Sequence, residues 1–330
     1  MDLPLLSACF AALALTFYVM LDGFDLGVGI LLLIQPLKES RDHMIDSITP
    51  TWDGNETWLV MTGITLFTAF PIAYGILMPA FYLPIIIMLL SLGIRGVSFE
   101  FRIQMKQYRR QWDLAFGVGS FIAAFMQGII LGALIQGVRI ENMQFAGSVM
   151  DAFRPFPLLS GATLVIGYCV LGAGWLLFKG NTVIQRSAVD SLRTVAPAFA
   201  ILFFAGCYYA AIVQPAVLSA WGMHSGLMLV IFSLVILTAF AIVHARTIAT
   251  ASLPFLFGLL MFLFGIAGFA TIVFPNIIPF KLTLWQAASN SSSQKFMLIG
   301  AALVTPVILA YSAFAYWVFR GRTPENGWLE

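Results

Sequence analysis

A chain of 330 residues, 60% of them hydrophobic and only 10% charged, with a positive mean hydropathy, is an integral membrane protein. A formal net charge of +2, without a long basic run or an alternation of basic and aromatic residues, excludes a nucleic-acid binder. The cysteines Cys9, Cys169 and Cys207 lie in apolar segments with neither a CxxC nor metal-ligand spacing, which points to small core residues rather than disulfides or a metal site.

A membrane-spanning helix needs about 20 apolar residues, and nine segments of the chain answer that description: about 3–34, 52–72, 74–98, 113–135, 156–178, 195–213, 225–245, 252–274 and 296–319. The first has no basic region before it and no clear small-residue cleavage site after it, so it reads as a retained helix, with the mature chain starting near Met1. It is over-long, so its inner end is expected either to run past the hydrocarbon or to bend near Gly23, Gly27 and Gly29. Its run DGFDLGVG places Asp22 and Asp25 three apart, on one helix face, with glycines that leave room for close helix packing or a bound water. An acid at the centre of a membrane helix costs about 2.5–3.5 kcal/mol on insertion scales, so these carboxylates need protein or water around them. Snorkelling at a frayed helix end and pairing with Arg95 both remain open.

The second segment opens with WDGNETWL. Asp53 and Glu56 are again three apart, Asn55 offers both a donor and an acceptor, and Trp52 and Trp58 suit an interface. Such carboxylates can collect protons. Asp53 can equally act as an N-cap with Glu56 completing a capping box, and the two roles are compatible. The third segment closes with GIRGVSFEFR, which brings Arg95, Glu100 and Arg102 to a helix end, where they are expected to pair with the acids. The basic loop that follows, with Lys106, Arg109 and Arg110, fixes topology and touches anionic lipid.

The histidines offer no buried pair for haem: His43 and His224 fall in expected loops and His244 at a helix end, while methionines in apolar helices are core filling. The chain is therefore expected to bind no haem and no metal cluster by itself. The loop from Leu282 to Gln294, LTLWQAASNSSSQ, reads as ordinary loop chemistry, with capping of the bundle or approach to a partner or quinone head group as the alternative.

Charge gives the orientation. One side of the nine-span arrangement carries Lys38, Arg41, Arg102, Lys106, Arg109, Arg110, Lys179, Arg186, Arg193, Arg246, Arg320 and Arg322; the other carries only Arg139, Arg154, Lys281 and Lys295. The N-terminus is thus expected outside and the C-terminus inside. Three helices then converge on one polar cluster at the cytoplasmic side. No repeat of 20–50 residues is present, and residues 1–330 read as a single transmembrane domain.

The runs DGFDLGVGILL, SITPTWDGNETWLV, GIRGVSFEFR, LTLWQAAS and PVILAYSAFAYWVFRGR, in this order, resemble subunit II of the cytochrome bd quinol oxidases. The resemblance is specific over the first hundred and last fifty residues; Thr57 stands where a valine is common and Ile94 where an aromatic is common. It implies an all-α fold of two four-helix bundles plus one further helix, in a bacterial plasma membrane. It also implies a partner, subunit I, that holds two b-type haems and haem d and oxidises quinol, with small accessory chains left open. Trp52 and Asp53 match the family's proton-path positions, with Asn55 and Glu56 beside them, and Asp22 and Asp25 match its acidic pair on the first helix. The expected role is that of a non-haem subunit that supports assembly and a cytoplasmic proton route for reducing oxygen to water. The rival readings are a proton-coupled transporter using the same acids and a scaffold whose acids form only structural ion pairs.

Overall fold

The computed structural model describes residues 2–244 and 251–323. Met1 and Arg246, counted above, lie outside the described residues, as does the side chain of His244.

The chain is helical almost throughout. Helix α1 (Leu3–Leu32) starts where the Asp2 carboxylate accepts from the Leu5 amide, with proline in its first turn, and runs uninterrupted for 30 residues, the first of the two expected alternatives. Helix α2 (Lys38–Asp46) is a short element where a loop was expected; it buries Met44, Ile45 and His43 and leaves Lys38 and Glu39 exposed. Its nine residues carry too few apolar groups to register as a span, and an amphipathic turn at a bundle end is stabilised by docking rather than by length.

Helices α3 (Trp52–Ala69) and α4 (Pro71–Gln104) meet at Phe70 alone. Pro79 and Pro84 lie inside α4, and Phe81 between them departs from helical geometry (φ −116°, ψ 17°), because each proline removes an N–H donor and crowds the preceding turn. Helix α5 (Arg109–Gln136) leads into a two-stranded hairpin, β1 (Ile140–Glu141) and β2 (Gln144–Phe145), whose turn residues Asn142 and Met143 both have positive φ. Helix α6 (Pro155–Lys179) is the most buried of the set and packs on α1, α5 and α7 (Thr182–Val213). α7 begins thirteen residues before the expected segment, since its polar first half, with Arg186, Asp190 and Arg193, is helical too and is capped by Asn181. α8 (Pro215–Met223) and α9 (Ser225–His244) are bent by 99° against each other. After α10 (Leu253–Val273), strands β3 (Asn276–Ile278) and β4 (Leu282–Thr283), the turn α11 (Leu284–Ala287) and α12 (Ser291–Val318) complete the fold.

Among the described residues seven helices are long and apolar enough to cross a membrane: α1, α4, α5 with its preceding turn, α6, α7, α10 and α12; the bent α8–α9 pair makes up to eight. The expected second span, α3, is a helix but is too polar in its first turns to count by composition, because Asp53, Asn55 and Glu56 fall within it. The chain is a multi-pass membrane protein.

One apolar cluster runs through α1, α5, α6 and α7 around Phe24, Tyr168, Leu171 and Trp175; a second, around Phe70, Ile76, Ile129 and Ile278, closes the opposite end. The 282–294 segment seals that second end: Trp285 donates to the Asp2 carboxylate and buried Gln294 accepts from Ser7. α12 lies at the periphery and leaves Leu303, Val307, Phe314 and Trp317 exposed.

Candidate functional site

The centre of the site is Arg95 of α4, wholly inaccessible to solvent. A bare guanidinium there would be expelled, and three carboxyl groups surround it. Its Nη2 is 2.6 Å from Asp22 Oδ1 and 4.0 Å from Asp25 Oδ2, and its Nη1 is 4.0 Å from Glu56 Oε2. α1 supplies the two aspartates because their three-residue spacing brings both to one face, and α3 supplies the glutamate from its second turn. The 2.6 Å contact with Asp22 is the short one, and Asp25 and Glu56 hold the guanidinium by charge at longer range. Phe116 of α5 covers one side, with its ring centroid 5.9 Å from the guanidinium carbon.

One polar chain leaves this centre and a second lies beside it. In the first, the Asn55 amide donates to Asp25 Oδ2 at 2.7 Å, and the Tyr316 hydroxyl of α12 donates to Asn55 Oδ1 at 3.0 Å. In the second, Tyr18 lies one helical turn before Asp22; its hydroxyl accepts from the Gln127 amide at 2.7 Å, and Tyr168 donates to Gln127 Oε1 at 2.9 Å. Tyr18, Gln127, Tyr168 and Tyr316 had not been singled out from sequence. Gln127 carried a usable signal, as a lone amide in the apolar run FIAAFMQGIILGALI.

Accessibility is graded along α3. Asp53 is exposed, the Glu56 side chain is 25% exposed, and Asp22, Asp25 and Arg95 are buried. α3 begins at Trp52, so Asp53 lies inside its first turn rather than at the cap, and Glu56 turns toward Arg95 instead of back to the helix end. The capping-box alternative is therefore replaced by an ion pair. Trp52 stacks on Phe99 at 4.8 Å between centroids, beside Gly96.

The expected single cluster is in fact two. Glu100 is exposed, and Arg102 turns away from the Arg95 centre to a separate clamp. Its Nε is 2.6 Å from Asp113 Oδ1 of α5, and it also pairs with Asp42 of α2. Arg41 reaches Asp113 at 3.0 Å, and Arg109 reaches Asp42 at 3.6 Å. The helical rise explains the split, since Arg95 and Arg102 are seven residues apart and so lie about two turns, about 10 Å, apart along the same face of α4. Burial holds the carboxyl of neighbouring Asp46 above the ordinary aspartate range, although Arg102, His43 and Arg109 pull it back. Asp113→Asn is expected to release α2, shortening the half-life of the 34–51 connection in limited proteolysis about threefold or more; an unchanged half-life would show that the clamp does not hold α2.

Among the described residues no group of three or more His, Cys, Asp and Glu side chains is arranged to hold a metal ion. His43 is buried in α2 rather than in a loop, and His224 is exposed at the α8–α9 junction.

Apolar helices packed around an interior guanidinium and its carboxyl groups define a multi-pass membrane protein with an ionisable centre. The sequence from 3 to 319 matches the family model described as cytochrome bd terminal oxidase subunit II, and the chain belongs to that family. It is 30% identical to cytochrome bd-I ubiquinol oxidase subunit 2 of Escherichia coli K12, over 94% of this chain and 92% of that one. It is 28% identical to cytochrome bd ubiquinol oxidase subunit 2 of Bacillus subtilis strain 168, over 94% and 93%. Its fold is similar to that of a chain in the structure of the bd oxidase from Geobacillus thermodenitrificans, with a TM-score of 0.76 at 12% identity, covering 97% of this chain and 98% of that one.

Proposed function

We propose that this chain is the subunit of a cytochrome bd quinol oxidase that carries no haem. It pairs with a subunit I that holds two b-type haems and haem d, oxidises quinol and reduces oxygen to water, and it lends that reaction a proton route from the cytoplasm. Counting α3 and the bent α8–α9 pair with the seven apolar helices makes nine spans, read as two four-helix bundles and one further helix in the bacterial plasma membrane. The Lys and Arg asymmetry supports an outside N-terminus and an inside C-terminus, which turns Asp53 to the cytoplasm.

The observation that carries the proton role is the Arg95 centre. One guanidinium faces three carboxyl groups, two more than it neutralises, and a chain of falling exposure from Asp53 through Glu56 leads to them. Surplus acid in a dry site with a polar path to the surface is what a proton relay requires. Asp53 is the uptake acid and Glu56 the relay. Asn55 orients Asp25, Trp52 shields the path, and Arg95 with Asp22 sets the local field.

The test uses the complex purified through this chain. Bands of reduced b and d haems should be present in it and absent from the chain expressed alone. In that complex Asp53→Asn and Glu56→Gln are expected to lower oxygen consumption per haem, and proton uptake with it, at least about tenfold at an unchanged spectrum. Unchanged turnover and uptake in both variants would remove the proton role and leave an assembly scaffold. Stable activity without any haem would instead favour a transporter.

A further inference from the structure

Lys179 ends α6 and counts, by charge alone, as one more cation of the inner side, yet it is buried, only 7% exposed. An ammonium leaves water only where its donors are matched, and this one donates to the main-chain oxygen of Phe319 at 2.6 Å. Phe319 is the C-cap of α12, where carbonyls run out of partners within the helix and the helix dipole is negative. The same lysine holds the chain a second time, since its own carbonyl accepts from the Thr323 amide at 2.9 Å. Between the two bonds the chain passes Gly321, whose φ of +96° is one that side chains oppose.

This double stitch sits where the polar chain to Asp25 depends on it. Tyr316, which donates to Asn55, precedes Phe319 by three residues, so its ring and the tethered carbonyl share the last turn of α12. α6 grips that turn at two points four residues apart. The Trp175 ring meets the Tyr316 ring edge-on with centroids 6.4 Å apart, and Lys179 takes the Phe319 carbonyl. The Lys179 ammonium also lies 5.5 Å from the Trp175 ring, which links the two points.

Helix ends fray unless they are held, and α12 lies at the periphery with most of its apolar surface exposed. Fraying or rotation of its last turn swings the Tyr316 hydroxyl off Asn55. The Asn55 amide oxygen then loses its donor, and the amide is free to turn away from Asp25 Oδ2, which it now meets at 2.7 Å.

We propose that Lys179 is a positioning residue of the proton route: by latching the inner end of α12 to α6 it keeps Tyr316 on Asn55, and through Asn55 it keeps Asp25 oriented toward Arg95. It acts through other side chains and carries no proton itself. The inference rests on the proton role proposed above for the Arg95 centre, and its test separates the two.

The experiment compares Lys179→Met, Lys179→Arg, Tyr316→Phe and the double variant Lys179→Met/Tyr316→Phe in the purified complex. Amide hydrogen exchange at the end of α12 reads the latch; oxygen consumption per haem, the KM for quinol and the ratio of rates in light and heavy water read its consequence. Lys179→Met is expected to speed exchange about tenfold and to lower turnover about fivefold at unchanged KM, with a larger isotope ratio. Lys179→Arg, which keeps a donor for the carbonyl, should recover most of both. The double variant should be no slower than Tyr316→Phe alone, because both changes act on one hydroxyl. Gly321→Ala is strained by its φ, with no atom within 4 Å of the new methyl, so it loosens the same stitch from an exposed position if Lys179→Met fails to fold. Faster exchange with unchanged turnover and isotope ratio, or additive losses in the double variant, would overturn the positioning role. A slow Asp53→Asn beside a fast Lys179→Met would overturn it and leave the proton route standing, whereas full turnover in both would overturn both.

Discussion

Replacing Arg95 with glutamine is expected to prevent the subunit from accumulating in folded form rather than merely to slow a proton. The guanidinium is wholly buried and is the cation for Asp22, Asp25 and Glu56, which α1 and α3 press against it. Without it three carboxyl groups remain in an apolar interior with no compensating charge. Breaking a buried pair by removing one partner costs about 3–5 kcal/mol, a large share of the roughly 5–15 kcal/mol by which a domain is stable. The measurement is the yield and unfolding temperature of the purified complex for Arg95→Gln, Asp22→Asn and the double variant. Since Asp22 makes the closest contact, the double variant should recover part of what Arg95→Gln loses, a non-additivity that reports their coupling. Wild-type yield and unfolding temperature in Arg95→Gln would show that the guanidinium is not needed to hold these helices together.

The second large effect is steric. A Cβ placed on Gly27 would lie 1.8 Å from the backbone oxygen of Tyr168 and 2.9 Å from the amide nitrogen of Gly172. Both obstacles are main-chain atoms of α6, which cannot rotate away, so α1 itself would have to move. Gly172 faces the same crossing, where an added Cβ would lie 2.4 Å from the carbonyl carbon of Gly27. Overpacking of this kind costs about 1–3 kcal/mol and often more when backbone must shift. It would carry Asp25, two residues before Gly27, away from Arg95 and Asn55. Gly27→Ala and Gly172→Ala are expected to lower the unfolding temperature by several degrees and to lower turnover per haem as well. Gly206→Ala, with no atom within 4 Å of the new methyl, serves as the control and should change neither. Equal behaviour of all three variants would rule out the close crossing of α1 and α6.

The close crossing also explains why α1 runs on uninterrupted rather than bending at its glycines. Three glycines in one helix read as a weak point, and glycine does loosen an isolated helix. Here Gly23 packs under the Tyr168 ring, Gly27 against the backbone of α6 and Gly29 against Ser120 of α5. Their lack of side chains is used between helices, not within one.

The sequence was most legible where a single helix decides. Length and apolarity marked the long helices, although α7 ran on through the polar stretch before its apolar half, and α2 was missed because nine mixed residues do not exceed the background of a loop. Spacing by three placed Asp22 beside Asp25 and Asp53 on the turn before Glu56, since the helical period is a property of the chain alone. The family resemblance rested on the same contiguous runs.

What tertiary packing decided is which of those faces meet. Asp53 and Glu56 look equivalent in the run WDGNET, yet the rotation of α3 against α1 and α4 leaves one exposed and turns the other to Arg95. Arg95 and Arg102 look like one basic helix end, yet two turns of rise carry the second to Asp113 and Asp42. Tyr316, far along the chain, joins Asn55 only because α12 lies against α3. Local sequence determines composition, helical period and the cost of burying a charge, whereas the partner that offsets that cost lies on another helix, at a distance set by how closely the backbones pack.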